Sequence, residues 1–305
     1  MTDLALVLTT LIWGTTFVVV KDALGHVSPI TFLLLRFGSA AVVLFAAALL
    51  ARARFDRAVW RAGLLASIPF FLSFVTQTFG LVWASPATSA FLTGFSVVLV
   101  PLFSVVLLGR RIGAWTWTGA LCALVGLGAL TLRGDWSMGI GELWTIGTAI
   151  AVALHILVLE RVAPGKSAIA LTAVQVLGCA VWSLLFLPLD RIVLGHGSGL
   201  FDPLSPNVLA IVLYMGCGAT AVTFFLQTWA QGRMPATRVG VLFTLEPVFA
   251  LLFSLLLGRE HFAARAAIGM VLILAGMLLV ETLGRRETAA GNPGPPPGIE
   301  AGGRG

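Results

Sequence analysis

Ten runs of about twenty mostly apolar residues follow one another almost without interval, and a run of that length is what one helix needs to cross a bilayer core about 30 Å thick. They lie at about 4–20, 29–50, 63–83, 87–108, 114–132, 140–159, 168–188, 207–230, 237–257 and 265–283. In hydrocarbon every backbone N–H and C=O must be satisfied internally, so such runs fold as helices. Charged residues make up 10% of the chain, against about 25% in a soluble domain. The expectation is an all-α integral membrane protein with ten transmembrane helices. Links are short apart from about 189–206, which leaves no room for an extramembrane domain.

The chain also repeats itself. Ser73, Gln77 and Thr78 lie 150 positions before Thr223, Gln227 and Thr228, and Pro86-Ala87-Thr88 lies 149 before Pro235-Ala236-Thr237. Leu107-Leu108-Gly109-Arg110 precedes Leu256-Leu257-Gly258-Arg259 by 149, and Gly119 and Gly126 precede Gly269 and Gly276 by 150. Matches at a near-constant offset read as a duplication. Each copy has five spans, an odd number, so the second enters the membrane from the opposite side. The reading is two inverted five-helix repeats, 1–135 and 136–284, followed by a disordered cytoplasmic tail at 285–305, rich in Gly and Pro.

Orientation follows from basic residues. With both termini cytoplasmic, 13 of the 19 Lys and Arg residues fall on inner loops and the tail, five on outer loops, and Arg36 within a span. That bias predicts N-in and C-in. The net charge of +6 is dispersed over these loops, so a nucleic-acid partner is not expected. The first apolar run lacks a basic leading segment and a small-residue cleavage site, and is read as a retained span.

Enzyme chemistry finds little to work with. All six aspartates fall in loops or at span ends, the four histidines are scattered, and Cys122, Cys179 and Cys217 lack the spacing of a metal site. No catalytic residue, cofactor or metal is expected. The polar residues at depth are few: Trp13 on the first span, Ser73 and Gln77 on the third, His155 on the sixth, Thr223, Gln227 and Gln231 on one face of the eighth, and Glu246 on the ninth. Converging, these faces with nearby phenylalanines would form an aromatic-walled pocket with a few hydrogen-bonding groups. The competing reading is that hydroxyls and amides glue helices together at about 0.6 kcal/mol per contact.

Glu246 is the sharpest case, because a carboxylate at mid-span costs roughly 2.5–3.5 kcal/mol on insertion scales. It has three candidate roles: binding a cationic group of the substrate, carrying a coupling proton, or satisfying backbone freed by Pro247, which is expected to bend the helix there. The first repeat has Phe95, Ser96 and Val97 at the matching place, and Phe95 joins Trp13, Ser73, Gln77, His155, Thr223, Gln227 and Glu246 as a substrate-binding candidate. Arg36, roughly 12 Å into its helix at 1.5 Å per residue, is read as structural, either snorkelling outward or pairing with a buried acceptor. The glycine pairs mark spans five and ten as packing elements, facing each other or another protomer.

Trp13-Gly14, the Gln-Thr pairs, Glu246-Pro247-Val248-Phe249-Ala250, and Leu-Leu-Gly-Arg closing the fourth and ninth spans together resemble the EamA-type drug/metabolite transporters over about residues 4–283. The resemblance implies a monomer or homodimer that moves small metabolites, such as amino acids and related compounds, across a bacterial inner membrane, often outward. The family usually carries an acid directly after that glycine, where this chain has Gly109-Arg110-Arg111 and Gly258-Arg259-Glu260. The expected function is thus a secondary transporter working by alternating access, with a small-molecule substrate and the lipid bilayer as partners. A non-transporting membrane receptor or scaffold is the alternative.

Overall fold

The computed structural model describes residues 1–131, 139–195, 197, 205–256 and 264–284. Arg133, Asp135, His196, Asp202, the Gly258-Arg259-Glu260 sequence and the tail lie outside these residues. The first span is α1 (Thr2–Trp13) and α2 (Thr16–Ala23); the second and third are α3 (Pro29–Leu50) and α4 (Arg57–Trp83). The fourth is α5 (Pro86–Gly94) with α6 (Ser96–Leu108), and the fifth α7 (Ala114–Thr131). The sixth and seventh are α8 (Ile140–Val162) and α9 (Ala168–Leu185), with a short α10 (Pro188–Leu194) after them. The eighth runs through α11 (Pro206–Leu213), a π-helical stretch Tyr214–Val222, and α12 (Thr223–Gln231). The ninth is α13 (Ala236–Leu242) with α14 (Leu245–Leu256), and the tenth α15 (Ala264–Leu279), closing in a π turn at Val280–Gly284.

Among the described residues, nine segments are long and apolar enough to cross a membrane, and Ala114–Ala129 is a shorter apolar helix. This is an all-α membrane protein. Side chains such as Val42 and Val125, 71% and 62% exposed, make the apolar outer surface that lipid requires. Pro29, Pro86 and Pro206 stand at first helical positions, where a missing N–H removes no bond. Ser85 and Ser205 cap two of these helices by accepting from Thr88 N and Val208 N.

Packing pairs α4 with α8 and α9, α3 with α9 and the π segment, α1 with α12 and α14, α6 with α8, and α7 with α15. The last pair is where the glycines act. A Cβ built on Gly126 would stand 2.7 Å from the Gly269 carbonyl oxygen, and one on Gly276 would stand 2.8 Å from the Ala123 nitrogen. Spans five and ten therefore face each other, backbone to backbone.

Polar contacts tie the helix ends. Where α1 begins, Arg238 Nη2 donates to Asp3 Oδ2 at 2.9 Å. Beside it Glu160, closing α8, accepts from Ala236 N at 2.9 Å and pairs with Arg110. At the other end of the first span, Lys21 Nζ donates to the carbonyls of Leu81, Val82 and Ala84, using all three ammonium protons. Lys21 and Glu160 thus grip the proline corners that follow α4 and α12.

Candidate functional site

Between these ends lies a cavity with about 830 Å³ of empty space, including the part that opens outward. Its walls come from spans one, two, three, four, six, eight and nine. Three of those spans break where they meet it. The first breaks between Trp13 and Thr16, the fourth between Gly94 and Ser96, and the ninth between Leu242 and Leu245. Gly14 allows the first break to pack against α14, since a Cβ there would stand 2.8 Å from Ala250 N. Interrupted helices at a membrane cavity free backbone groups without exposing them to lipid.

The bend in the ninth span falls earlier than Pro247 alone predicts. Pro247 is the third residue of α14, in a first turn whose N–H groups have no intrahelical partner anyway. The interruption therefore sits at Phe243-Thr244, and Glu246 N turns back to Phe243 O at 3.0 Å. Glu246 stands in the first turn of α14, where the helix dipole favours an anion. It lines the cavity, and its carboxylate makes no hydrogen bond or ion pair among the described residues.

Trp13, Ser73, Gln77, His155, Gln227 and Glu246 all reach the cavity wall. Trp13 Nε1 donates to Thr223 Oγ1 at 3.0 Å and to Ala219 O at 3.2 Å, while its ring packs against Phe224 and Phe243, each 5.1 Å away. Thr223 itself stays behind the wall as the acceptor for that indole, and donates to Ala219 O. Phe95 also lies off the cavity, with its ring edge-on to Phe91. Ser73 donates to Phe70 O in its own helix.

One support, Gln175, escaped sequence reasoning. His155 lies flat on Phe70, 4.6 Å between centroids, and its Nε2 is 3.2 Å from Gln175 Oε1. Gln175 Nε2 in turn donates to Thr228 Oγ1 at 2.8 Å, so α9 and α12 fix the imidazole from behind. No periodic polar pattern marks Gln175; only its depth in an apolar run could have drawn notice. Gln227 Nε2 donates to Gln231 Oε1, and Gln231 Nε2 to Ile156 O. That leaves Gln227 Oε1 buried with no protein donor, and Thr93 Oγ1, also on the wall, is in the same condition.

Arg36 takes the second of its two expected arrangements, pairing with a buried acceptor. It is 3% exposed and borders the cavity instead of snorkelling. Its Nε donates to Thr220 Oγ1 at 2.7 Å, and its guanidinium carbon lies 4.5 Å above the Phe74 ring. Thr220 sits in the π stretch and donates to Met215 O, five residues back, a bond that the wider turn permits. Gly216 brings this stretch against α3, where a Cβ would stand 2.9 Å from Arg36 O.

A polytopic helical protein whose broken spans enclose a polar-lined cavity belongs to the class of membrane transporters. The comparisons make this specific. The profile of the EamA-like transporter family matches residues 1–132 and 139–282, and the chain belongs to that family, within the drug/metabolite transporters. A protein of Archaeoglobus fulgidus named an uncharacterized transporter is 28% identical over 278 residues, 91% of this chain and 85% of its own length. Human solute carrier family 35 member F6 is 29% identical over 66% of this chain and 61% of its own length. One crystal structure shares the fold with a TM-score of 0.75 at 24% identity, covering 93% of this chain and 98% of the other.

Proposed function

We propose that this membrane transporter is a secondary carrier that exports small metabolites such as amino acids or related compounds. The cargo occupies the central cavity, and residues 1–135 and 136–284 rock about it as inverted repeats in a bacterial inner membrane, with both termini cytoplasmic. The observation that carries this is a pair of buried polar atoms in the cavity lining left without a protein partner, Gln227 Oε1 and Thr93 Oγ1, with the half-buried Glu246 carboxylate, also without a partner among the described residues, lining the same cavity. A scaffold would satisfy such groups internally, because an unpaired buried polar atom costs about 1–3 kcal/mol; a carrier leaves them for its cargo. The pairing of α1 with α12 and of α4 with α8 supports the repeat reading, since first and third spans cross between halves in both senses. Glu246 is the candidate site for a coupling proton.

Proteoliposome uptake across pH 5–8 tests the assignment of Glu246. Glu246→Gln keeps the shape and removes the charge. The expected outcome is uptake at least about tenfold slower, a loss of about 1.4 kcal/mol at the rate-limiting barrier, with a flat pH profile where the parent protein shows a slope. Unchanged rates and slope would remove Glu246 from both recognition and coupling.

A further inference from the structure

Arg36 is a positively charged group in the wall of the cavity, and no carboxylate among the described residues pairs with it. Its only hydrogen bond among the described residues is from Nε to the neutral Thr220 hydroxyl, whose own proton is committed to Met215 O. Phe74 covers one face of the guanidinium. The two Nη groups make no hydrogen bond among the described residues. Glu246, the acidic residue lining the same cavity, forms no ion pair with Arg36 and stands on the opposite half of the chain. Removing one charge from water without a partner is among the most expensive arrangements a protein can hold. In a membrane protein such a group marks the cargo path.

The chemistry of the free edge narrows what fits. With Nε occupied and one face under an aromatic ring, the Nη pair, without hydrogen bonds among the described residues, offers two parallel N–H donors, the arrangement that carboxylates accept in bidentate fashion. We propose that Arg36 anchors the cargo through a carboxylate group. The inference rests on the carrier reading above and adds the charge class of the cargo and the residue that reads it. Thr220 is a positioning residue that holds the guanidinium edge toward the cavity.

The test uses the full chain in proteoliposomes, exposed to an equimolar mixture of aromatic and aliphatic monocarboxylates, the matching amides, the matching amines and phosphate monoesters. Internal contents are measured by mass spectrometry against protein-free vesicles. Monocarboxylates are expected to accumulate at least about tenfold faster than their amides, equivalent to about 1.4 kcal/mol. Arg36→Gln is expected to abolish that preference, and Arg36→Lys, which keeps charge without the fork, to retain part of it. Amides or phosphate monoesters entering as fast as the carboxylates would overturn the proposal, as would an Arg36→Gln protein that imports the same compounds at the same rates. The acid–amide comparison needs no variant, so it decides the matter even where Arg36→Gln disturbs folding. Uptake of none of the compounds by the parent protein would instead sink the carrier reading, and this inference with it.

Discussion

Leucine in place of Gly276 is expected to leave the protein unable to hold α7 against α15, lowering stability by about 3 kcal/mol or more. The reason is what a side chain would meet. Around Gly276 the neighbours of an added Cβ are the Gly119 carbonyl and the Ala123 nitrogen and Cβ, which are backbone or fixed to it and cannot rotate away. The contact is reciprocal, because a Cβ on Gly119 would stand 2.6 Å from the Gly276 carbonyl. Accommodating a leucine means prising two spans apart along their length and forfeiting the close dispersion contacts on which membrane helices depend. Thermal unfolding in detergent, followed by tryptophan fluorescence, measures the loss. Gly38→Ala is the control, since a Cβ at Gly38 meets nothing within 4 Å and should leave the midpoint unchanged. A Gly276→Leu protein as stable as its parent would mean the two spans are not in register as described.

Asp190→Ala should be the next most damaging change. Asp190 is 1% exposed, and its carboxylate accepts from Ile30 N at 3.0 and 3.2 Å and from Thr31 N at 3.4 Å. It caps the start of α3 from 160 positions away, satisfying N–H groups that the helix cannot pair itself. Alanine would strand these donors away from water, at about 1–3 kcal/mol for each buried group left unsatisfied. Asp190→Asn keeps an acceptor and loses the charge that the helix dipole favours, so a smaller loss of about 1 kcal/mol is expected. The ordering, Ala worse than Asn worse than parent, is read from unfolding midpoints; equal midpoints for all three would show that the cap carries no weight.

What could be read in the sequence was whatever depends on local periodicity. Spans show because hydrocarbon imposes a minimum run of apolar residues, and their limits agree with the helices to within a few residues, although the third starts earlier, at Arg57. The seven-residue spacing of Gly119 with Gly126 and of Gly269 with Gly276 marked the faces that meet. The polar residues at depth stood out because each is expensive in lipid, and six of the eight candidates reach one cavity. Thr223 shares a face with Gln227 by spacing and Phe95 matches the place of Glu246 in the first repeat, yet one is turned to hold Trp13 and the other toward Phe91.

The remainder depended on partners far away in the chain. Asp190 looked like a loop residue because its partners, Ile30 and Thr31, belong to another span. Whether Arg36 would snorkel or find a buried acceptor stayed open, because Thr220, 184 positions on, could not be placed beside it from sequence. Pro247 pointed to a bend but not to where it falls, since a proline in a first turn strains nothing. The π stretch had no sequence marker beyond Gly216 and Gly218, and glycine in a membrane helix more often signals packing.

The unlike fastenings at the two rims have a practical result. One rim is held by oppositely charged side chains, Asp3 with Arg238 and Glu160 with Arg110, of which Asp3 and Arg110 are each 42% exposed. At the other rim Lys21 is bound by peptide dipoles, with no anion in the clasp to be screened. Near 1 M salt, where the Debye length is about 3 Å, the first rim should loosen while the second keeps its hold. Hydrogen exchange at the start of α13 should then quicken, and at the corner after α4 stay as it was. The molecule would carry its own ionic-strength asymmetry, one mouth answering to the electrolyte it faces and the other indifferent to it.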